Sequence, residues 1–485
     1  MRPGSSCVRP SCPRRPGGQY GAVRPREPRD LRRVLGVAVA SSCLVILDGQ
    51  GVGLALPAVE RELGGGLVLQ QWVMDGYLLT LGALLLAAGA VADRFGTERV
   101  LAAGTLWFTL TSLVCGLAPE GWVLVAGRLA QGAAGAVITP SALALITAAA
   151  HGTTRLRLIA QWTAWISAAS VAAPFVGGAA VDLGSWRLVF LVNVLPAALM
   201  WRPLARLRRG AIRPPRRAAP FDVASAALSV GGLGALVLGL IVAAGTGFAD
   251  PAVIVSLVGG AVLVAVFLVR QRSSADPQIP LGLFREPAFS AGNAATFWAY
   301  GALGLGSFIV GLYLQQRMGM SAFLAGLGML PSTVPMLFLS GRSARLAAKR
   351  GPRLPMSVGP AVAAVGFVWL ALAQPPLVYL RDVFGPMVLL GIGLALMVAP
   401  LTTTVLSAVP AGAEGAGSAV NNAVARIASL VAIGASGAIV GGTLDDAGFG
   451  RAAAVTAVLL ALAAATSAVW IPAGSTTAEP ASREA

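Results

Sequence analysis

Fourteen stretches of this 485-residue chain stay apolar over about the ~20 residues a helix needs to cross a bilayer, and short gaps carrying charge, glycine or proline separate them. They lie at about 34–59, 71–92, 98–118, 121–148, 157–181, 187–203, 222–244, 251–270, 288–313, 321–341, 355–374, 383–408, 417–443 and 449–472. The hydrocarbon layer offers no water to satisfy backbone groups, so such runs can cross it only as helices. The predicted fold class is therefore an all-α integral membrane protein with fourteen transmembrane helices. A chain that is 56% hydrophobic and 12% charged, with a mean hydropathy of +0.77, is too apolar for a string of soluble domains.

The formal net charge of +16 is a matter of topology rather than of nucleic-acid binding, because the basic residues fall in the gaps and form no face. With the N-terminus inside, 29 of the 36 lysines and arginines lie in cytoplasmic segments. Only Arg61, Arg187, Arg317, Arg381 and Arg451 lie on the other side. This asymmetry predicts both termini in the cytoplasm and an even number of spans; the bias of arginine over lysine suggests a bacterial genome, and the expected location is the plasma (inner) membrane.

Several chemistries are excluded. The single lysine, Lys349, is followed by Arg350, so the chain contains no G-x-x-x-x-G-K-[ST] phosphate loop and no ATP site is expected. The only histidine, His151, is in a gap. Cys7 and Cys12 lie in the N-terminal tail, whereas Cys43 and Cys115 lie in apolar runs, so the cysteines have no zinc spacing. No cofactor, metal centre or enzymatic nucleophile–base pair is expected. The lipid bilayer is an expected partner, and the protein is expected to be a monomer.

Charges inside apolar helices are costly, and each is a functional candidate. Asp48 lies in the first run, Asp75 in the second and Arg128 in the fourth. At 1.5 Å per residue all three fall in the outer half of a ~30 Å core. A carboxylate and a guanidinium at one depth can form a site whose charge balance switches as access alternates, which is what proton coupling requires. Asp48 is the first choice for the proton-coupling acid, with Arg128 tuning it, and a structural ion pair between helices is the lesser and compatible reading. Asp75 can also face the external mouth near its helix end.

The stretch GAVADRFGTERVL, Gly89 to Leu101, reads as a charged membrane-edge loop, with Gly89 for close helix approach and Gly96 for a tight reversal. It resembles the signature between helices 2 and 3 of the major facilitator superfamily through Gly89, Ala92, Asp93, Arg94, Gly96 and Leu101. The resemblance makes Gly89, Asp93, Arg94 and Gly96 a loop that biases two conformations. ARLAAKRGPR at 344–353 is similar to a degenerate second copy, with Gly351 in the place of Gly96 and Ala348 in that of Asp93.

Other stretches resemble the fourteen-helix drug:proton antiporter family, of the multidrug efflux type. LDGQGVGLALP around Asp48 is similar to its helix-1 motif, with Gln50 and Gly53 departing from it. GRLAQGAAGA is similar to the element carrying Arg128 and Gln131. SAASVAAPFVGG resembles the exporter motif G-x-x-x-G-P-x-x-G-G through Pro174, Gly177 and Gly178, with Ala173 for the glycine before proline. Small residues at every fourth position let helices approach closely, and Pro174 can kink the helix. WRLVFLVNVLP, LYLQQRMGMSAFLAGLGMLP and GAGSAVNNAVARIASLVAIGASG add matches, with Trp186 and Arg187 expected as interface anchors. The polar cavity candidates are Gln50, Gln131, Gln315, Asn421 and Arg426, the last for an anionic group or a partner across the cavity.

The resemblance implies two six-helix halves with a midplane substrate site and two helices inserted between them. The expected parts are a disordered Arg/Pro-rich tail at 1–33, a first half at 34–203, a basic linker at 204–221, inserted helices at 222–270, a second half at 271–472 and a short tail at 473–485. The implied function is proton-coupled export of small hydrophobic or amphipathic compounds, with a small-molecule substrate and protons as partners. A dedicated exporter of a self-made metabolite or lipid shares every motif, and a transport-inactive sensor is the remaining alternative.

Overall fold

The computed structural model describes residues 28–209, 222–274, 277–410 and 413–472. The tail through residue 27, residues 210–221 of the linker and the tail 473–485 lie outside the described residues. So do Cys7 and Cys12.

The described chain is helical throughout, with no strand. Its helices are α1 Pro28–Gly51, α2 Leu56–Leu63, α3 Gly66–Phe95, α4 Thr97–Gly116, α5 Gly121–Ala149, α6 Gly152–Asp182, α7 Arg187–Leu191, α8 Val194–Arg209, α9 Val223–Thr246, α10 Pro251–Ser273, α11 Pro287–Gln316, α12 Ala322–Met329, α13 Val334–Arg350, α14 Arg353–Leu372, α15 Phe384–Ser407, α16 Glu414–Val440 and α17 Asp446–Trp470. The pairs α1/α2, α7/α8 and α12/α13 are each one interrupted span, which leaves fourteen helices long and apolar enough to cross a membrane. We call the end where α1 begins the near face and the opposite end the far face.

Boundaries moved where polar residues are compatible with helix. Pro28 to Arg33, expected in the disordered tail, are the first turns of α1. Proline suits a helix start, Asp30 complements its dipole, and Arg33 pairs with Asp30 at 2.9 Å. Leu204 to Arg209, expected in the linker, continue α8, whose Leu204 is buried.

α1 to α8 pack mainly on one another, as do α11 to α17, while α9 and α10 pair with each other. Asp222 fixes that pair: it caps α9 through the Ser225 amide at 3.1 Å and holds Arg270 of α10 at 3.0 Å. The Arg270 guanidinium and Ser225 pull the Asp222 carboxyl down to about 2. α9 also touches both α3 and α16, so it rides on the seam between the halves.

The expected charged loop at 89–101 is instead nearly all helix. α3 runs through Phe95, Gly96 alone makes the reversal at φ 89°, and α4 begins at Thr97. Gly351 ends α13 in the same way, at φ 84°. Only glycine takes that conformation without strain, so the two turns share one physical requirement.

Candidate functional site

Arg128 and Gln131 sit one turn apart on α5 and point toward α1, where Asp48 meets both. Arg128 Nη1 lies 2.5 Å from Asp48 Oδ2 and donates to Gln131 Oε1 at 2.6 Å. Gln131 Nε2 returns a bond to Asp48 Oδ1 at 2.9 Å, and Asn193 Nδ2 adds another at 3.0 Å. Ser112 on α4 accepts from both amides, at 3.1 and 3.0 Å, and donates to Phe190 O at 2.9 Å. Arg128 Nε donates to Val73 O at 3.0 Å, and the guanidinium stacks 4.3 Å above the Tyr77 ring. Every one of these polar side chains is buried, Asp48 and Asn193 at 1% exposure and Arg128, Gln131 and Ser112 at none. Five spans thus converge on one sealed charge pair.

Glycines make that convergence possible. A Cβ at Gly132 would come within 2.2 Å of Tyr77 O, so α3 and α5 can touch only through a bare backbone.

Asp75 stands apart from the pair it was grouped with. A helix turns 100° per residue, so on α3 Val73, Gly76, Tyr77 and Thr80 face α5, whereas Gln71 and Asp75 face α16. Both Asp75 carboxylate oxygens are buried and find no donor among the described residues. A Cβ at Gly434 would lie 3.3 Å from Asp75 Oδ2 and 3.3 Å from Val237, so the acid is pressed into the seam where α3, α16 and α9 meet. One turn away Gln71 Nε2 donates across the seam to Ile433 O and Gly434 O, both at 2.9 Å.

At the far face the halves close on α6. A Cβ at Gly177 would lie 2.7 Å from Gly51 Cα, and one at Gly178 would lie 2.6 Å from Ala322 O in the other half. Ala173 is fully buried beside Gly51, and Pro174 O backs onto Gly326. The Asp182 carboxylate then accepts from the Ala322 and Phe323 amides at 3.1 and 3.0 Å, capping the open start of α12. Beyond this closure lies a cavity of about 860 Å³ lined in part by Glu60, Arg61, Asp182, Gln315 and Thr443. On the near-face side of α6, residues 160 to 168 are largely exposed.

The other candidates divide by environment. Gln50 is exposed and donates to Ser170 at 2.6 Å, and Arg426 is exposed between the halves, its Cβ against Gly82 of α3. Gln131, expected in the cavity, is sealed in the ion-pair network instead. Gln315 borders the far-face cavity, and Asn421 ties α16 to α11 through Thr296 at 2.8 Å and Asn293 at 3.2 Å. Gly89 meets nothing within 4 Å of a Cβ, so the close approach expected there is absent. Arg94 lies over the Phe95 ring, and the Asp93 side chain is outside the described residues. Trp186, expected as an interface anchor, is buried and donates to Glu62 at 2.6 Å, beside the Arg187–Glu62 ion pair. Ser112 carries no charge or spacing that singles it out in sequence, and Asn193 lies within the matched stretch WRLVFLVNVLP without a role assigned to it there.

The Major Facilitator Superfamily model matches residues 38–220 and again 200–433. This chain belongs to the major facilitator superfamily. The facilitator is 35% identical over 389 residues to the cephamycin export protein of Amycolatopsis lactamdurans, covering 80% of each chain. It is 31% identical over 413 residues to the methylenomycin A resistance protein of Bacillus subtilis (84% of this chain, 87% of that one) and 32% identical over 412 to the multidrug efflux pump LfrA of Mycolicibacterium smegmatis (84% and 80%). A solved peptide transporter with bound sulfate shares the fold, at a TM-score of 0.66 and 17% identity over 94% of this chain and 97% of that one. The facilitator is therefore a multi-pass membrane transporter whose relatives export antibiotics or confer resistance to them.

Proposed function

We propose that this facilitator exports small amphipathic compounds across the bacterial plasma membrane in exchange for protons, by alternating access, without ATP or cofactor. The observation that carries the reading is the pair of buried acids in opposite situations. Asp48 is neutralised by Arg128 and two amides, so it organises the first half as a fixed pair. Asp75 has no donor. An ionised carboxylate shut in that way costs several kcal/mol, so the closed seam suits the neutral acid, and water admitted as the seam opens would take the proton. The elements packed around it bring few charges: α9 has none, and α16 has only Glu414 and Arg426. The far-face closure through Gly177, Gly178 and Asp182, with α6 exposed toward the near face, supports a site now open to the cytoplasm.

Proteoliposomes test the coupling. Wild type should accumulate a panel compound uphill on an imposed pH gradient. Asp75→Asn should lose uphill accumulation at least about tenfold yet keep exchange of labelled for unlabelled compound, because only the proton step is removed. Uphill transport by Asp75→Asn at the wild-type rate would sink the assignment.

A further inference from the structure

The substrate class can be narrowed, on the export reading just given, from a cation that the seam leaves open. Arg426 lies midway along α16, 12 residues from its start at Glu414, and so at about 18 Å along the helix. It is exposed, whereas the same helix is buried on this side above it, at Leu430 and Ile433. Its Cβ abuts Gly82 of α3 in the first half, while α16 itself packs with the second half. Those neighbours place it between the halves rather than against lipid. Asn422, one turn nearer the start of α16, is exposed as well.

A guanidinium at that depth needs an anion, because an unpaired charge within a span is among the most costly groups a membrane protein can carry. The described residues supply none there. Asp48 is sealed with Arg128, and Asp75 faces Gly434, two turns beyond Arg426 on α16, with no donor. No ion pair of Arg426 exists among the described residues. We propose that Arg426 binds the anionic group, a carboxylate or a similar oxyanion, of an amphipathic substrate held between the halves. The planar guanidinium suits such a group through paired N–H donors, and it repels cations.

Dansylglycine and dansylcadaverine carry one fluorophore and opposite charges, so they isolate the charge preference. In inside-out vesicles wild type should take up dansylglycine in preference to dansylcadaverine. Arg426→Gln should raise the KM for dansylglycine about tenfold or more, the loss of one charge-assisted contact, whereas Arg426→Lys should stay within about threefold. Preference for dansylcadaverine, or for cationic and neutral members of a wider drug panel, would overturn the anion site while leaving export intact. The wild-type comparison decides this even if Arg426→Gln fails to fold. An unchanged KM in Arg426→Gln would likewise overturn it, and a wild type that moves no compound at all would instead remove the export reading on which it rests.

Discussion

Asp48 and Arg128 are held by their ion pair and four further hydrogen bonds, yet both are buried, so removing one partner strands the other. Asp48→Asn should lower stability by ~3–5 kcal/mol, because the Arg128 charge is left buried and unpaired. Adding Arg128→Gln should restore part of the loss. Thermal unfolding in detergent of the two single variants and the double variant checks this, and additive losses would mean that the residues do not act as a pair. Asp48 and Arg128 were legible as an ion pair because a charge in an apolar run is rare and each sits in a familiar motif. Ser112 was not, because a serine in a helix has many neutral roles; Asn193 lies in a matched motif, but only the fold brings it to the carboxylate. Asp75 shows the converse limit. Its depth was legible, but depth says nothing of the face, and one residue of rotation turns a side chain from α5 to α16.

Among the helices, α6 carries the strongest conformational consequence. Its glycines fit only while Gly51, Ala322 and Phe323 lie against them, so a side chain there acts against one conformation rather than against folding. Gly178→Val should hold the far face open. A cysteine placed at Ser170, on the near-face side of the closure, should then react with a membrane-impermeant maleimide added at the far face several-fold faster than in the Gly178 background. Equal reactivity in both would mean that the contact does not gate access. The small-residue spacing of α6 could be read in the sequence because periodicity is local. Which helix it met could not, since α1 and α12 are far away in the chain and lie in different halves.

At the scale of the molecule, the crowding of basic residues into alternate gaps predicts that both chain ends share the cytoplasm. A green fluorescent protein fused at the C-terminus should therefore fluoresce in bacterial cells, whereas a dark fusion with an active phosphatase fusion at the same point would reverse the topology. The count of fourteen spans was legible from apolar length alone. The breaks within three of them were not, because a short irregular turn barely changes a hydropathy window. The Asp182 clasp has one more consequence. Its partners are the Ala322 and Phe323 amides, which every residue except proline provides, so the clasp itself asks nothing more of those two side chains, and only packing limits the size of the buried Ala322. A search for co-varying residue pairs would miss it. The bond that joins the two halves of the molecule at the far face is written in one residue of the genome rather than two.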